Sequence, residues 1–123
     1  MDPIQHFSGK LACETDPYDL REDLQKGEKI VVIDARSREA YAEEHIPGAV
    51  SLPHREMNAE TTKGFRKDTL YVIYCYGVGC NASTKGALNM SRLGFCVKEL
   101  IGGLEWWKRD GYETEGKTVT RGS

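Results

Sequence analysis

The first chemistry to look for in this chain is that of a thiol. Cys75 closes the apolar run Leu70-Tyr71-Val72-Ile73-Tyr74 and opens the loop Tyr76-Gly77-Val78-Gly79-Cys80-Asn81, after which a helical pattern begins near Ala82. A buried strand that ends in a cysteine delivers the sulfur to the carboxyl edge of a sheet. Gly77 and Gly79 allow a tight turn whose N–H groups point inward. Asn81 or Ser83 is placed to cap the helix, and the positive end of its dipole then faces the loop. Such a spot favours an anion. A thiolate is an anion, so the same geometry is expected to depress the pKa of Cys75. A persulfide, thiosulfate or another oxyanion is equally suited to that cradle. The plainer alternative is that Cys75 is a small buried hydrophobe, as many strand cysteines are.

Cys80 stands five residues beyond Cys75 in the same loop. Three roles are open to it: resolving a Cys75 persulfide or sulfenate as a disulfide, carrying a second sulfur, or simply occupying the loop. Lys85, one turn into the helix, is the nearest cation in sequence and a candidate auxiliary to an anion, or else a solvated surface lysine. A metal site is not expected, because no Cys/His pair of standard spacing accompanies Cys75 and Cys80. Cys13 and Cys96 lie on or beside expected strands and read as packing residues. His45 reads as hydrogen-bonded within its own turn, since nothing in the sequence pairs it with a nucleophile.

The elements around these residues alternate between strand and helix. Lys10–Thr15 reads as a short first strand. Asp16-Pro17 signals a helix start, and Tyr18–Lys26 carries Leu20 and Leu24 on one face. Ile30–Asp34 suits a strand buried on both faces. Ser37–Glu44 is a short charged helix, His45-Ile46-Pro47-Gly48 a turn, and Ala49–Pro53 a short strand. His54–Asp68 is polar, with weak helical character near Asn58–Lys63. Leu70–Tyr74 is a second strong strand, followed by a helix over about Ala82–Leu93. Val97–Ile101 is the last strand, and Leu104–Asp110 the last helix, with a frayed tail expected after Tyr112. This alternation argues a mainly parallel sheet with helices on both faces, which binds ligands at the carboxyl ends of its strands.

Bulk properties narrow the setting. A chain of 123 residues fits one domain, and 39% hydrophobic with 29% charged residues is enough for a core. The net charge of −2 gives no reason to expect nucleic acid or an anionic membrane as partner. The longest apolar stretch, around Ile30–Ile33, is too short to span a bilayer. Met1-Asp2-Pro3-Ile4-Gln5 does not read as a secretory signal, so a cytoplasmic location with reduced thiols is expected. The polar Thr120-Arg121-Gly122-Ser123 reads as a tail.

Three separated segments give the chain a resemblance to the single-domain rhodaneses of the sulfurtransferase superfamily. Ile33-Asp34-Ala35-Arg36-Ser37-Arg38-Glu39-Ala40-Tyr41, closed by His45-Ile46-Pro47-Gly48-Ala49, is similar to the family's D-x-R…H-I-P-G-A segment. The strand ending in Cys75 is the second. Leu100-Ile101-Gly102-Gly103-Leu104-Glu105-Trp106-Trp107 resembles the family's GG-x-x-x-W. The resemblance runs over about residues 11–115 of a domain taken as 1–123. It implies a rhodanese-like three-layer α/β/α sandwich with a mainly parallel five-stranded sheet. It also implies a catalytic Cys75 that carries sulfane sulfur as a persulfide, with the loop Tyr76, Gly77, Val78, Gly79, Cys80 and Asn81 binding substrate. Asp34 and Arg36 are read as pairing with one another or with buried backbone near the sheet end, and Trp106 or Trp107 as a core residue.

The loop departs from the family pattern. Many active rhodaneses carry a six-residue loop containing Arg or Lys, whereas Cys75–Asn81 counts seven residues with no basic side chain. Seven is the length in the phosphatase and arsenate-reductase relatives, which need Cys-x5-Arg, and the arginine position here is Asn81. Without that guanidinium fork a phosphate dianion loses its bidentate partner, which argues against a phosphatase. The reading is therefore a sulfurtransferase with no cofactor. Its partners are a small sulfur donor such as thiosulfate and an acceptor that is a thiol, cyanide or a partner protein's cysteine. Two alternatives stand beside it: a dithiol redox or arsenate-reductase-like enzyme using Cys75 and Cys80, and a non-catalytic rhodanese-like binding or sensing module.

Overall fold

The computed structural model describes residues 2–121; Met1, Gly122 and Ser123, the last two from the expected polar tail, lie outside the described residues. The elements run α1 (Pro3–Cys13), β1 (Glu14–Thr15), α2 (Pro17–Gln25), β2 (Ile30–Asp34), α3 (Arg38–Glu43), β3 (Val50–Ser51), a 3-10 turn (His54–Glu56), β4 (Leu70–Tyr74), α4 (Ala82–Arg92), β5 (Cys96–Leu100) and α5 (Gly103–Arg109). The five strands form one sheet in the order β1-β5-β4-β2-β3, and every pairing is parallel. β4 is central, with β2 pairing along its full length, Leu70 to Tyr74 against Ile30 to Asp34.

Alternation along the central strands makes two cores. Val32, Val72 and Tyr74 face one way and pack with Leu20 of α2 and Leu104 and Trp107 of α5. Ile33, Tyr71 and Ile73 face the other way and pack with Met90 of α4, Leu52 and Met57. The result is the expected α/β/α sandwich.

Several local expectations are corrected. Lys10–Cys13 is helical: Asp2 accepts the Gln5 N–H, Pro3 sits at the helix start, and Lys10 pairs with Glu14. Only Glu14–Thr15 is left to pair with β5. The Asp2-Pro3 start signal is the same one that opens α2 at Asp16-Pro17. Asn58–Lys63 forms turns, because the Asn58 and Thr61 side chains bond to each other's backbone N–H. Cys13 and Cys96 are exposed, not packed in the core. Trp107 is buried, while Trp106 is largely exposed.

The segment after Tyr112 is docked. His45 and Glu115 exchange both backbone hydrogen bonds. The buried Glu44 carboxylate accepts from Thr114 Oγ1 and Thr120 Oγ1 and pairs with Lys108. A buried carboxylate would demand such partners, and here most of them come from the chain's end.

Gly102 and Gly103 carry the tightest backbone approach. Gly102 has φ of 79° and Gly103 φ of 57°. Gly103 lies against the Cys75 carbonyl, where a Cβ would overlap that oxygen. The Leu104 N–H then donates to that same carbonyl at 3.0 Å, and the Glu105 N–H to the Tyr76 carbonyl at 2.7 Å. The start of α5 thus clamps the residue that follows β4.

Two expectations follow for stability. Gly103→Ala is expected to destabilise the fold by roughly 2–4 kcal/mol, read by denaturant unfolding, because both φ and space exclude a side chain. Burial raises the Glu44 pKa, but Thr114, Thr120 and Lys108 outweigh it and hold it below the ordinary 4.5. Its stabilisation is therefore present above that ordinary value and lost as pH falls through the lowered one. Wild type should exceed Glu44→Gln in thermal midpoint at neutral pH. That gap should begin to close below 4.5.

Candidate active site

β4 delivers Cys75 to the carboxyl edge of the sheet between two anchors. On one side Ala35 N–H donates to the Tyr74 carbonyl at 2.9 Å, and on the other Leu104 N–H holds Cys75 itself. Cys75 is 1% exposed. Beyond it the chain turns back: the Cys80 N–H donates to the Gly77 carbonyl at 3.2 Å, over Val78 and Gly79. That turn brings Cys80 onto Cys75, with Cα atoms 6.4 Å apart, and the two sulfurs are joined as a disulfide. The expectation of reduced thiols throughout is corrected here, since a five-residue spacing folded by this turn is within disulfide reach.

Asn81 occupies the N-cap position of α4 without a side-chain cap hydrogen bond. Ser83 is not a cap either; its hydroxyl donates to Glu99 Oε2 at 2.7 Å, as does that of Thr84. The N–H groups of Gly77, Val78 and Gly79 have no acceptor among the described residues. Lys85 is exposed and lies toward His54, whose pKa is lowered first by burial and then by the Lys85 and Arg55 charges.

A cleft of about 300 Å³ opens beside the loop, walled by Val78, Cys80 and Asn81, by Glu99 with its two hydroxyl donors, and by Gly102. Cys80, half-buried, lines it and the buried Cys75 does not, so Cys80 is the more accessible member of the pair. Glu14 also borders it, and no Lys or Arg among the described residues does. An apolar neighbour of about 400 Å³ lies between Pro17, Val78, Ile101 and Trp106. A concavity of about 710 Å³ lies at the amino ends of β2, β4 and β5, around Lys29, Lys67 and Asp68. It is at the wrong end of a parallel sheet for ligand chemistry.

Under the Cys75 edge lies a polar network that the sequence only partly announces. Asp34 is fully buried. Arg36 Nε and Nη2 reach its two oxygens at 2.9 and 2.6 Å, and Nη2 also donates to the Glu44 carbonyl at 2.7 Å. Tyr74 Oη donates to Asp34 Oδ2 and accepts the Ile46 N–H. His45 stacks on Tyr41 and bonds through Nδ1 to the Tyr41 carbonyl, away from Cys75. Glu99 and Glu14 were not anticipated as part of the site. The available signal for Glu99 was a carboxylate inside the otherwise apolar Val97–Ile101 stretch.

Comparison with known proteins agrees with this geometry. The model of the rhodanese-like domain family matches residues 16–110. Thiosulfate sulfurtransferase GlpE of Coxiella burnetii is 35% identical over 88 residues, covering 70% of this chain and 78% of that protein. The crystal structure of BH2092 from Bacillus halodurans superposes with a TM-score of 0.90 at 45% identity, over 98% of this chain and 88% of that one. The rhodanese-like domain of Alr3790 from Anabaena, solved by NMR, gives a TM-score of 0.71 at 33% identity, over 84% of this chain and 78% of that one. A cysteine clamped at the carboxyl end of the central parallel strand, and these likenesses across most of the chain, make it a member of the rhodanese-like domain family.

Proposed function

We propose that the chain is a sulfurtransferase in which Cys75 carries sulfane sulfur as a persulfide. The observation that carries the reading is the placement of Cys75, pinned on both sides at the sheet's carboxyl edge ahead of a loop with unpaired N–H groups. In the reduced protein the Cys75 thiolate attacks the outer sulfur of a donor such as thiosulfate. The donor's S–S bond breaks, sulfite leaves with the electron pair, and a Cys75 persulfide remains. The free amides of Gly77, Val78 and Gly79 suit the negative charge of donor and persulfide. A thiol, cyanide or a partner protein's cysteine then takes the sulfur. No cofactor is needed for this chemistry, and a reducing cytoplasm is the compartment that keeps Cys75 ready.

The Cys75–Cys80 pair supports a second reading, a dithiol redox enzyme of the arsenate-reductase type. Asn81 weighs against it, because an oxyanion held in the loop would lack a guanidinium partner.

Sulfite release separates the two. Reduced wild type mixed with thiosulfate should release sulfite, and Cys75→Ser should release none. A wild type that releases no sulfite removes the sulfurtransferase reading. The cleft's charge adds a preference among donors, since Glu99 opposes a dianion more than a monoanion. Glu99→Gln keeps an oxygen acceptor for Ser83 and Thr84 while removing the charge. It should raise kcat/KM for thiosulfate by about tenfold, with a smaller gain for the monoanion benzenethiosulfonate. Equal gains for both donors would show that charge at Glu99 does not select among them.

A further inference from the structure

We infer that Cys80 is the resolving thiol of Cys75, so that this chain unloads its sulfane sulfur internally and releases it as hydrosulfide. The inference rests on the sulfurtransferase reading and extends it from loading to unloading. Its basis is the loop itself. The Val78-Gly79 turn, closed by the Cys80 N–H to the Gly77 carbonyl, sets Cys80 directly on Cys75. Cys13 and Cys96 are free and exposed, and neither lines the cleft. Cys75 is buried beneath its partner, whereas Cys80 faces the cleft.

The step balances without an external oxidant. In the loaded enzyme Cys75 Sγ bears the sulfane sulfur. The Cys80 sulfur attacks Cys75 Sγ and forms the Cys75–Cys80 bond. The bond from Cys75 Sγ to the sulfane sulfur breaks, and that sulfur leaves with the electron pair and takes the thiol proton as hydrosulfide. The sulfane sulfur is reduced by two electrons, and the two cysteine thiols supply them. The attack is intramolecular, over a turn that already holds the two sulfurs together, which favours it over capture by a free acceptor.

Recovery of the dithiol then requires a thiol reductant, either a dithiol protein or a small thiol. The more accessible partner, Cys80, decides where that reductant attacks. It meets the cleft-facing Cys80 sulfur, forms a mixed disulfide there, and expels the Cys75 thiolate, which is the nucleophile needed for the next loading. Beside the opening lies an apolar wall of Val78, Ile101 and Trp106, with Asp16 and Asp110 at its edge.

The test is a single turnover under anaerobic conditions. The protein is reduced, freed of reductant, and mixed with thiosulfate; sulfite, sulfide and the intact mass of the chain are then measured. Wild type should release sulfite and sulfide in equal amounts and end two hydrogens lighter. Cys80→Ser and Cys80→Ala should release sulfite, lose sulfide release, and retain the mass of one sulfur atom. Wild type that releases sulfite but keeps the sulfur, as the Cys80 variants do, overturns the resolving role and leaves the sulfurtransferase intact. Sulfide released equally by wild type and both Cys80 variants overturns it as well. Absence of sulfite from wild type removes the sulfurtransferase reading, and the resolving role falls with it.

Discussion

The site depends on one buried charge. Asp34 ends β2 with no exposure to solvent, and Arg36, two residues on, covers both of its oxygens. An unpaired carboxylate at that depth would be untenable, and removing either partner of such a pair typically costs about 3–5 kcal/mol. The pair does more than neutralise itself. Tyr74 donates to Asp34, so the end of β4 is tied to the end of β2 by side chains as well as by the ladder. The same Tyr74 oxygen accepts from Ile46, and Arg36 holds the Glu44 carbonyl, which fixes the entry to the His45–Gly48 turn and its second residue. Burial first, and the Asp34 charge next, push the Tyr74 pKa well above the phenol range, so its hydroxyl stays a donor. Cys75 follows Tyr74 directly and inherits this rigidity.

Rigidity on the near side of Cys75 is matched by freedom beyond it. The carbonyls of Cys75 and Tyr76 are held by the first turn of α5, and Gly103 leaves no space between them. Beyond Gly77, which packs against the Glu105 side chain, the hold lapses: Val78 is 76% exposed and Gly79 has open space around it. A segment with few buried contacts opens at low free energy. A nucleophile held in place is thus followed by an exposed Val78-Gly79 turn, which carries Cys80 back onto it.

Much of this was legible in the residues, for reasons that can be named. Ile30–Asp34 and Leu70–Tyr74 read as buried strands because apolar runs of that length have few other uses in an α/β chain. Asp16-Pro17 marks its helix by cap and fixed φ; the identical Asp2-Pro3 signal starts α1, whose last turn, Lys10–Cys13, reads locally as strand. The docking of the C-terminal segment was hidden because polar threonines read as frayed tail, and their partner Glu44 lies some seventy positions away in sequence. Ser83 looked like a cap on local grounds; a carboxylate from β5 claimed its hydroxyl instead. In each case the local rule was sound, and a partner distant in sequence decided the outcome.

The charge of the cleft bears on what the loop is built to do. Loops that hold oxyanions put a guanidinium or an ammonium where this chain has Asn81, and the nearest sequence cation, Lys85, is not among the residues that line the cleft. In the place of a cation the cleft has Glu99, stationed by two hydroxyls against the first turn of α4. The positive end of that helix therefore already has a negative neighbour from its own protein. A thiol approaching a disulfide is neutral until it is deprotonated, and it needs no such cation. By its charge the cleft disfavours a dianionic donor relative to a monoanion or a neutral thiol, and the exchange inferred for Cys80 needs no cation. Asn81, Glu99 and Cys80 all push the site in that direction, and each does so by a different interaction: a missing charge, an opposing charge and a second sulfur.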